Sequence, residues 1–263
     1  MGWFKKALLV FVVLILVSGV VFWLTFFKSP IPARLTDVQG VVEVQQAGAW
    51  ITAANGTLVH QSDSIRTKEG TATIVFFGAS ILRLDTNTTL ELTTLDPAAS
   101  VVVVTQPDGK SWNRVVHAVD AGLLEKVGSV KGIKQYSLKT PNAVATVRGT
   151  SFAADADSVD IVTGIVAMTV AGSTQEFQHQ SVVTDPDKMI PELLDTTEDW
   201  IVDNQAKDDA FDRALLAQLR QKYGWLIPYV KRTYGVTDEQ IDEHVLAYLK
   251  SGGTPLPQIP GLS

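Results

Sequence analysis

Thr140-Pro-Asn-Ala-Val-Ala-Thr-Val-Arg-Gly-Thr-Ser-Phe152 is the stretch on which the fold turns. Pro141 lacks an amide proton, so Thr140-Pro141 marks a strand start or edge, and Ala143, Ala145 and Val147 then alternate as small inward residues of a tightly packed layer. Arg148-Gly149-Thr150 needs a special backbone. Glycine permits a positive φ or the close approach of another strand, Arg148 offers a partner to a carboxylate, and the Thr150 hydroxyl offers a bond to a neighbouring amide. The triplet is either a structural corner whose arginine staples the sheet or a recognition surface centred on Arg148.

The surrounding chain has the same β character. From Thr36 to about Thr184 apolar residues recur at period two: Val38, Gly40, Val42 and Val44, then Leu82 and Leu84, then Leu90 and Leu92. Valine and threonine dominate the runs Thr71–Phe77, Val101–Thr105 and Ile161-Val162, and Gly78, Asn87, Asp108-Gly109 and Gly172 punctuate them. Eight to twelve short strands are expected from this spacing. The interval from Gly109 to Tyr136, with Gly122, Gly128 and Gly132, alternates weakly and reads as one or two strands and a flexible loop.

Past Pro186 the pattern becomes helical. Thr196 or Thr197 is placed to cap a helix beginning around Glu198-Asp199, with Trp200, Asn204, Phe211, Leu215 and Leu219 near one face and a stop at Gly224. Trp200, Asn204 and Asp208 stand at successive i+4 positions, so Trp200 is expected to pack on the β-domain while Asn204 satisfies a backbone group. A second helix containing Trp225 to Tyr234 tolerates Pro228 only in its first turn and ends at Gly235. Its aromatic residues fit a small core shared by the helices or a partner surface. Thr237-Asp-Glu-Gln240 has the form of a capping box opening a third helix.

At the other end, Ala7 to Phe27 is an uncharged run of 21 residues. As a helix it spans roughly 31 Å, close to the hydrocarbon thickness of a bilayer. It is longer than a signal-peptide core and lacks a good cleavage site, which favours an uncleaved anchor. Trp3, Phe4, Trp23 and Phe26 suit the headgroup region, and Lys5-Lys6 the cytoplasmic side. The expected organisation is a cytoplasmic tip over 1–6, a transmembrane helix over 7–27, a linker over 28–35, a β-domain over 36–184, a helical region over 185–250 and a loose tail over 251–263. That topology puts the body outside the cytoplasm, as a periplasmic or cell-surface domain.

Charge narrows the partners. The chain has net charge −6, but residues 1–35 hold four basic and no acidic side chains, leaving 18 basic against 28 acidic in the rest. Such a body repels phosphate backbones, so no nucleic acid is expected. The absence of cysteine excludes disulfides, thiolate nucleophiles and iron–sulfur clusters. His60, His117, His179 and His244 form no metal-ligand spacing, no nucleophile elbow or phosphate loop occurs, and Asp155, Asp157 and Asp160 lack the rest of a calcium loop. No metal, cofactor or catalytic residue is expected.

Thr140-Pro141, Ala143, Val147-Arg148-Gly149-Thr150 and Phe152 together resemble the signature of the FecR domain, a bacterial extracytoplasmic module. Gly48, Trp50, Leu58, Asp63–Thr67, Gly70–Phe76, Gly78–Leu84, Asn87-Thr88 and Val159–Val170 with Gly164 resemble its other blocks in order, so the resemblance covers Thr36 to Val170. It implies a mainly β body, a β-solenoid-like or twisted double-sheet domain; strand patterning alone equally permits a β-sandwich. FecR proteins couple an outer-membrane transporter to a sigma factor through a cytoplasmic anti-sigma segment. Six residues ahead of the span cannot fold that segment. The expected role is a membrane-anchored, non-catalytic binding or scaffold module engaging an envelope protein or surface polymer, with Arg148, Gly149 and Thr150 as candidate binding residues. Thr140, Pro141, Phe152, Trp200 and Asn204 are the candidate structural ones. Signal transduction with a separate partner is the alternative, and a surface glycan hydrolase a minor one.

Overall fold

A computed structural model describes residues 33–117 and 131–250. The tip 1–6, the span 7–27, most of the linker, the glycine-rich loop around Gly122 and Gly128, and the tail 251–263 lie outside them. Among the described residues no helix is long and apolar enough to cross a membrane. Among these residues fifteen strands precede three helices: β1 Ala33–Gln39, β2 Val42–Gln46, β3 Ala49–Thr52, β4 Ser64–Thr67, β5 Thr71–Phe76, β6 Ser80–Leu84, β7 Thr89–Asp96, β8 Val101–Asp108, β9 Ser111–Val115, β10 Gln135–Lys139, β11 Val144–Ala154, β12 Ser158–Val170, β13 Ser173–Phe177, β14 Ser181–Asp185 and β15 Lys188–Glu192. The helices are α1 Asp199–Tyr223, α2 Ile227–Tyr234, entered through a 3₁₀ turn at Gly224–Leu226, and α3 Asp238–Lys250.

The protein is mainly β, a large mixed sheet followed by a helical region. β11 is its spine. One edge of β11 pairs along its length with β12, while the other pairs with β10 through Val144–Val147 and with β9 through Thr150–Ala154. The sheet therefore forks into one arm β9-β6-β5-β1 and a second arm β10-β8-β7-β4-β2-β3. Among the described strands every ladder is antiparallel except β8–β10, and the isolated bridge His117–Ile133 is also parallel. Both arms place alternate residues in a common core: Ile74, Phe76 and Leu82 from one, Val102, Val104 and Leu138 from the other. Tyr136 of β10 meets Phe76 of β5 and Phe152 of β11 edge to face, each at 6.4 Å between ring centroids. Full burial of each phenylalanine contributes about 1.5–3 kcal/mol.

Two boundaries move. Ala33, Arg34 and Leu35, expected in the linker, already pair with β5, because Leu35 is fully buried in the core. The β15 hairpin strand runs to Glu192, so residues 185–192 belong to a β-hairpin and not to a helix; Pro191 is accommodated on an edge strand, which needs no interior ladder donor.

The helices follow their sequence punctuation. The buried residues of α1, Ile201, Asn204, Asp208, Asp212, Leu215 and Leu219, recur at helical spacing. Neither threonine caps it: Glu198 is the N-cap residue, and the Thr197 hydroxyl donates instead to Asp195 at 2.6 Å. α2 carries Pro228 in its first turn and ends at Gly235 with φ +67°. The capping box of α3 is reciprocal, Thr237 N–H donating to Gln240 Oε1 at 2.9 Å and Gln240 N–H to Thr237 Oγ1 at 3.2 Å. Trp225 and Tyr229 are 60% and 65% exposed, so most of their surface faces solvent, and the core that the helices share with the sheet is built instead on Leu215, Leu219 and Leu249.

Candidate functional site

Thr140-Pro141-Asn142-Ala143 is the turn joining β10 to β11. Its ends are tied by Thr140 N–H to the Ala143 carbonyl at 2.9 Å and Ala143 N–H to Thr140 Oγ1 at 3.1 Å, which leaves Pro141 where no donor is needed. Asn142 Nδ2 donates to the Thr184 carbonyl at 3.2 Å, fixing the turn to β14. Beyond the turn Ala145, Val147, Phe152 and Ala154 all enter the core, although Val147 and Phe152 are an odd number of residues apart. A regular strand would send them to opposite faces. The register supplies the answer: Arg148 pairs with Ile165 and Ser151 with Thr163, so Gly149 and Thr150 together oppose Gly164 as a β-bulge. A second irregularity, opposite in sense, between Ser151 and Phe152 restores the register.

The bulge requires its glycines. Gly149 has φ +61° and Gly164 φ +78°, and a Cβ on Gly164 would overlap the Gly149 carbonyl oxygen. Thr150 Oγ1 donates to the Ile165 carbonyl at 3.1 Å, a carbonyl rather than the amide anticipated, and Ser151 N–H donates to Thr163 Oγ1 at 3.0 Å. The bulge lies where β11 exchanges β10 for β9 as its partner. The Arg148 backbone belongs to this ladder; its side chain lies outside what is described.

Trp200 and Asn204 belong to a different place. They sit on α1 against the outer face of β9, where Trp200 meets Trp112 edge to face at 5.9 Å, and Lys110 Nζ stands 4.2 Å above the Trp200 ring. Asn204 Nδ2 donates to the Trp200 carbonyl of its own helix at 2.9 Å. One turn on, Asp208 accepts from Trp112 Nε1 at 3.0 Å and from Arg83 of β6 at 2.5 Å. Another turn on, Asp212 accepts from Arg114 of β9 at 2.6 Å, and the same guanidinium donates to the Leu249 carbonyl of α3 at 2.8 Å. Arg114 and Asp212 are 5% and 2% exposed through their side chains, so the helices are joined to the sheet by a dry ion pair. Ala79, Val116, Leu215, Leu219 and Leu249 pack beside it. The i+4 placement of Asp208 and Asp212 on the buried stripe of α1 was the available sequence signal for this cluster.

Burial pushes the Asp212 carboxyl up to about 6, against the pull of Arg114 and with a smaller upward push from Asp208. A group bound more readily by protons in the folded protein stabilises the fold fully below its unfolded value, near 4, and loses that contribution as pH rises through about 6. The stability difference between the native protein and Asp212→Asn, followed by urea denaturation from pH 4 to pH 7, is therefore expected to shift against the native protein as pH rises. A difference that does not change with pH contradicts this.

The acidic and histidine residues weighed and rejected as metal ligands have local roles. Asp155 Oδ1 accepts from the amides of Asp157 at 2.9 Å and Ser158 at 2.7 Å, closing the β11–β12 hairpin. His60 Nδ1 lies 3.4 Å from Asp63. Among the described residues no three His, Asp or Glu side chains group as metal ligands.

Residues 63–171 match the family model described as FecR protein. This segment is a FecR domain. The match begins later than the resemblance that started at Thr36; it runs from just before β4 to just past β12, enclosing both glycines of the bulge and leaving β1–β3 and all three helices outside. Two solved structures of a proposed anti-sigma factor from Parabacteroides distasonis are similar at 15% and 16% identity, each with TM-score 0.40 over 50% of this chain. The chain spans 60% of the length of each. No curated protein matches the sequence. The ion pairs Arg83–Asp208 and Arg114–Asp212 thus join the FecR domain to helices that the family model does not include.

Proposed function

We propose that the chain is a non-catalytic binding or scaffold module, moored in a cell membrane by residues 7–27, whose FecR domain and helices engage an envelope protein or surface polymer outside the cytoplasm. The FecR domain over residues 63–171 carries this reading. The uncharged 21-residue run ahead of it and the acidic balance of the rest support the placement. The forked sheet, with two arms over one core, fits the twisted double-sheet form of such a body. The exposed Trp225 and Tyr229 give the helical end aromatic contact area of the kind that interfaces use.

Protease applied to intact spheroplasts that make the full chain tests the placement. Digestion of the body, with the segment 7–27 recovered in the membrane, is the expected result; a body protected until the cytosol is opened overturns it. Binding is tested by capture of an envelope component with the full chain, and loss of that capture in Arg148→Ala with the fold intact by circular dichroism assigns the signature as the contact surface. Transmembrane signalling with a separate partner is the second reading, favoured by the same domain. Lateral crosslinks from Ser18 or Gly19 to another membrane helix, where small residues permit close approach, distinguish it from a passive scaffold.

A further inference from the structure

Ala33, where the described chain begins, is 1% exposed. It is held there by neighbours: Val59 N–H donates to its carbonyl at 3.2 Å, Leu35 N–H donates to the Thr57 carbonyl at 2.8 Å, and Arg34 bridges Leu58. Ala33, Leu58, Val59, Leu95 and Pro97, with His60 and Gln61, line a shallow recess of about 140 Å³ that is mostly apolar. Its rim is the loop 54–62, with Leu58 46% exposed, and the exposed turn Pro97-Ala98-Ala99.

Charge sets this face apart from the acidic body. The loop 54–62 holds no acid and only His60 as a titratable group. The two carboxylates flanking the rim are turned back on the backbone: Asp63 accepts from His60 N–H at 2.9 Å, and Asp96 from Ala98 and Ala99 N–H at 2.8 and 2.9 Å. Exposed acids stand at the far ends of the loop, Asp37 beside Asn55 and Glu91 beside Ser62, while cations cluster by Leu58 and Pro97. Arg34 is exposed beside Leu58, Lys131 reaches the Pro97 carbonyl, and the exposed Lys134 is tied through its amide to the Ser100 carbonyl at 2.8 Å.

Distance adds the remaining constraint. From Phe27 to Ala33 are six residues, which reach about 20 Å when fully extended, less than the diameter of a domain this size. Resting on the anchor proposed above, we infer that this face lies against the membrane surface, with Leu58 and the Pro97-Ala98-Ala99 turn at the headgroup level and Arg34, Lys131 and Lys134 facing anionic lipid.

The chain contains no cysteine, so single labels are specific. Full-length Leu58→Cys, Tyr229→Cys and Val17→Cys, each carrying an environment-sensitive fluorophore, are reconstituted into phosphatidylcholine–phosphatidylglycerol vesicles. Nitroxide lipids labelled at the headgroup or in the acyl chain serve as quenchers. The expected result is that the label at 58 loses most of its emission to the headgroup quencher, less so in phosphatidylcholine alone, while the label at 229 on α2 keeps its own. Quenching at 17 by the acyl-chain nitroxide with none at 58 leaves the anchor standing and overturns this inference. No quenching at 17 overturns the anchor itself. Self-quenching between labels at 58 that grows with protein density, without lipid quenching, assigns the face to a second copy and also overturns the inference.

Discussion

Arg114→Met is expected to destabilise the protein by about 3–5 kcal/mol, because it leaves the Asp212 carboxylate buried with no guanidinium opposite it. The loss should appear at pH 7 as a lower urea midpoint in tryptophan emission, since Trp112 and Trp200 lie in the same interface. Arg114→Met combined with Asp212→Leu should recover most of it, as the pair is flanked by Leu215, Leu219 and Leu249, against which apolar replacements can pack. The contrast between single and double replacement separates a buried charge left alone from a simple loss of contact. Equal destabilisation by both would mean that the guanidinium acts mainly through the Leu249 carbonyl.

Gly164→Ala is the second large effect, at about 2–5 kcal/mol. Two costs combine there: a positive φ, and a methyl group directed into the backbone of Gly149 and the side chain of Thr150. Gly172→Ala is the internal control. Its φ of +80° is nearly the same, yet nothing lies within 4 Å of an added Cβ, so only the conformational cost of about 1–2 kcal/mol is expected. Thermal unfolding of the two variants side by side measures the packing contribution of the bulge. If they lose stability equally, close approach of the strands at Gly164 contributes nothing.

Much of the sheet was legible because strands such as β8 bury Val102 and Val104 while leaving Val101 and Val103 partly exposed, so their apolar period is visible. β9 hid itself. All five residues of Ser111-Trp-Asn-Arg-Val are buried: Trp112 and Arg114 face the helices, while Ser111 and Asn113 join Tyr136 and Gln106 in a hydrogen-bonded network on the other side. With polar residues buried on both faces, alternation carries no contrast between inside and outside. β15 was lost for a related reason, since the second strand of a short edge hairpin, with Lys188 and Pro191, has the composition of a loop. At the bulge, Gly149 gave a local signal, whereas its counterpart Gly164 becomes meaningful only through pairing across the hairpin.

The grip of Arg114 on the Leu249 carbonyl joins residues 135 positions apart. A ribosome completes β9 long before it reaches the acceptor, so a nascent chain holds this guanidinium without its final complement until α3 has nearly been made. Early termination within α3 would therefore penalise the FecR domain itself as well as the deleted end.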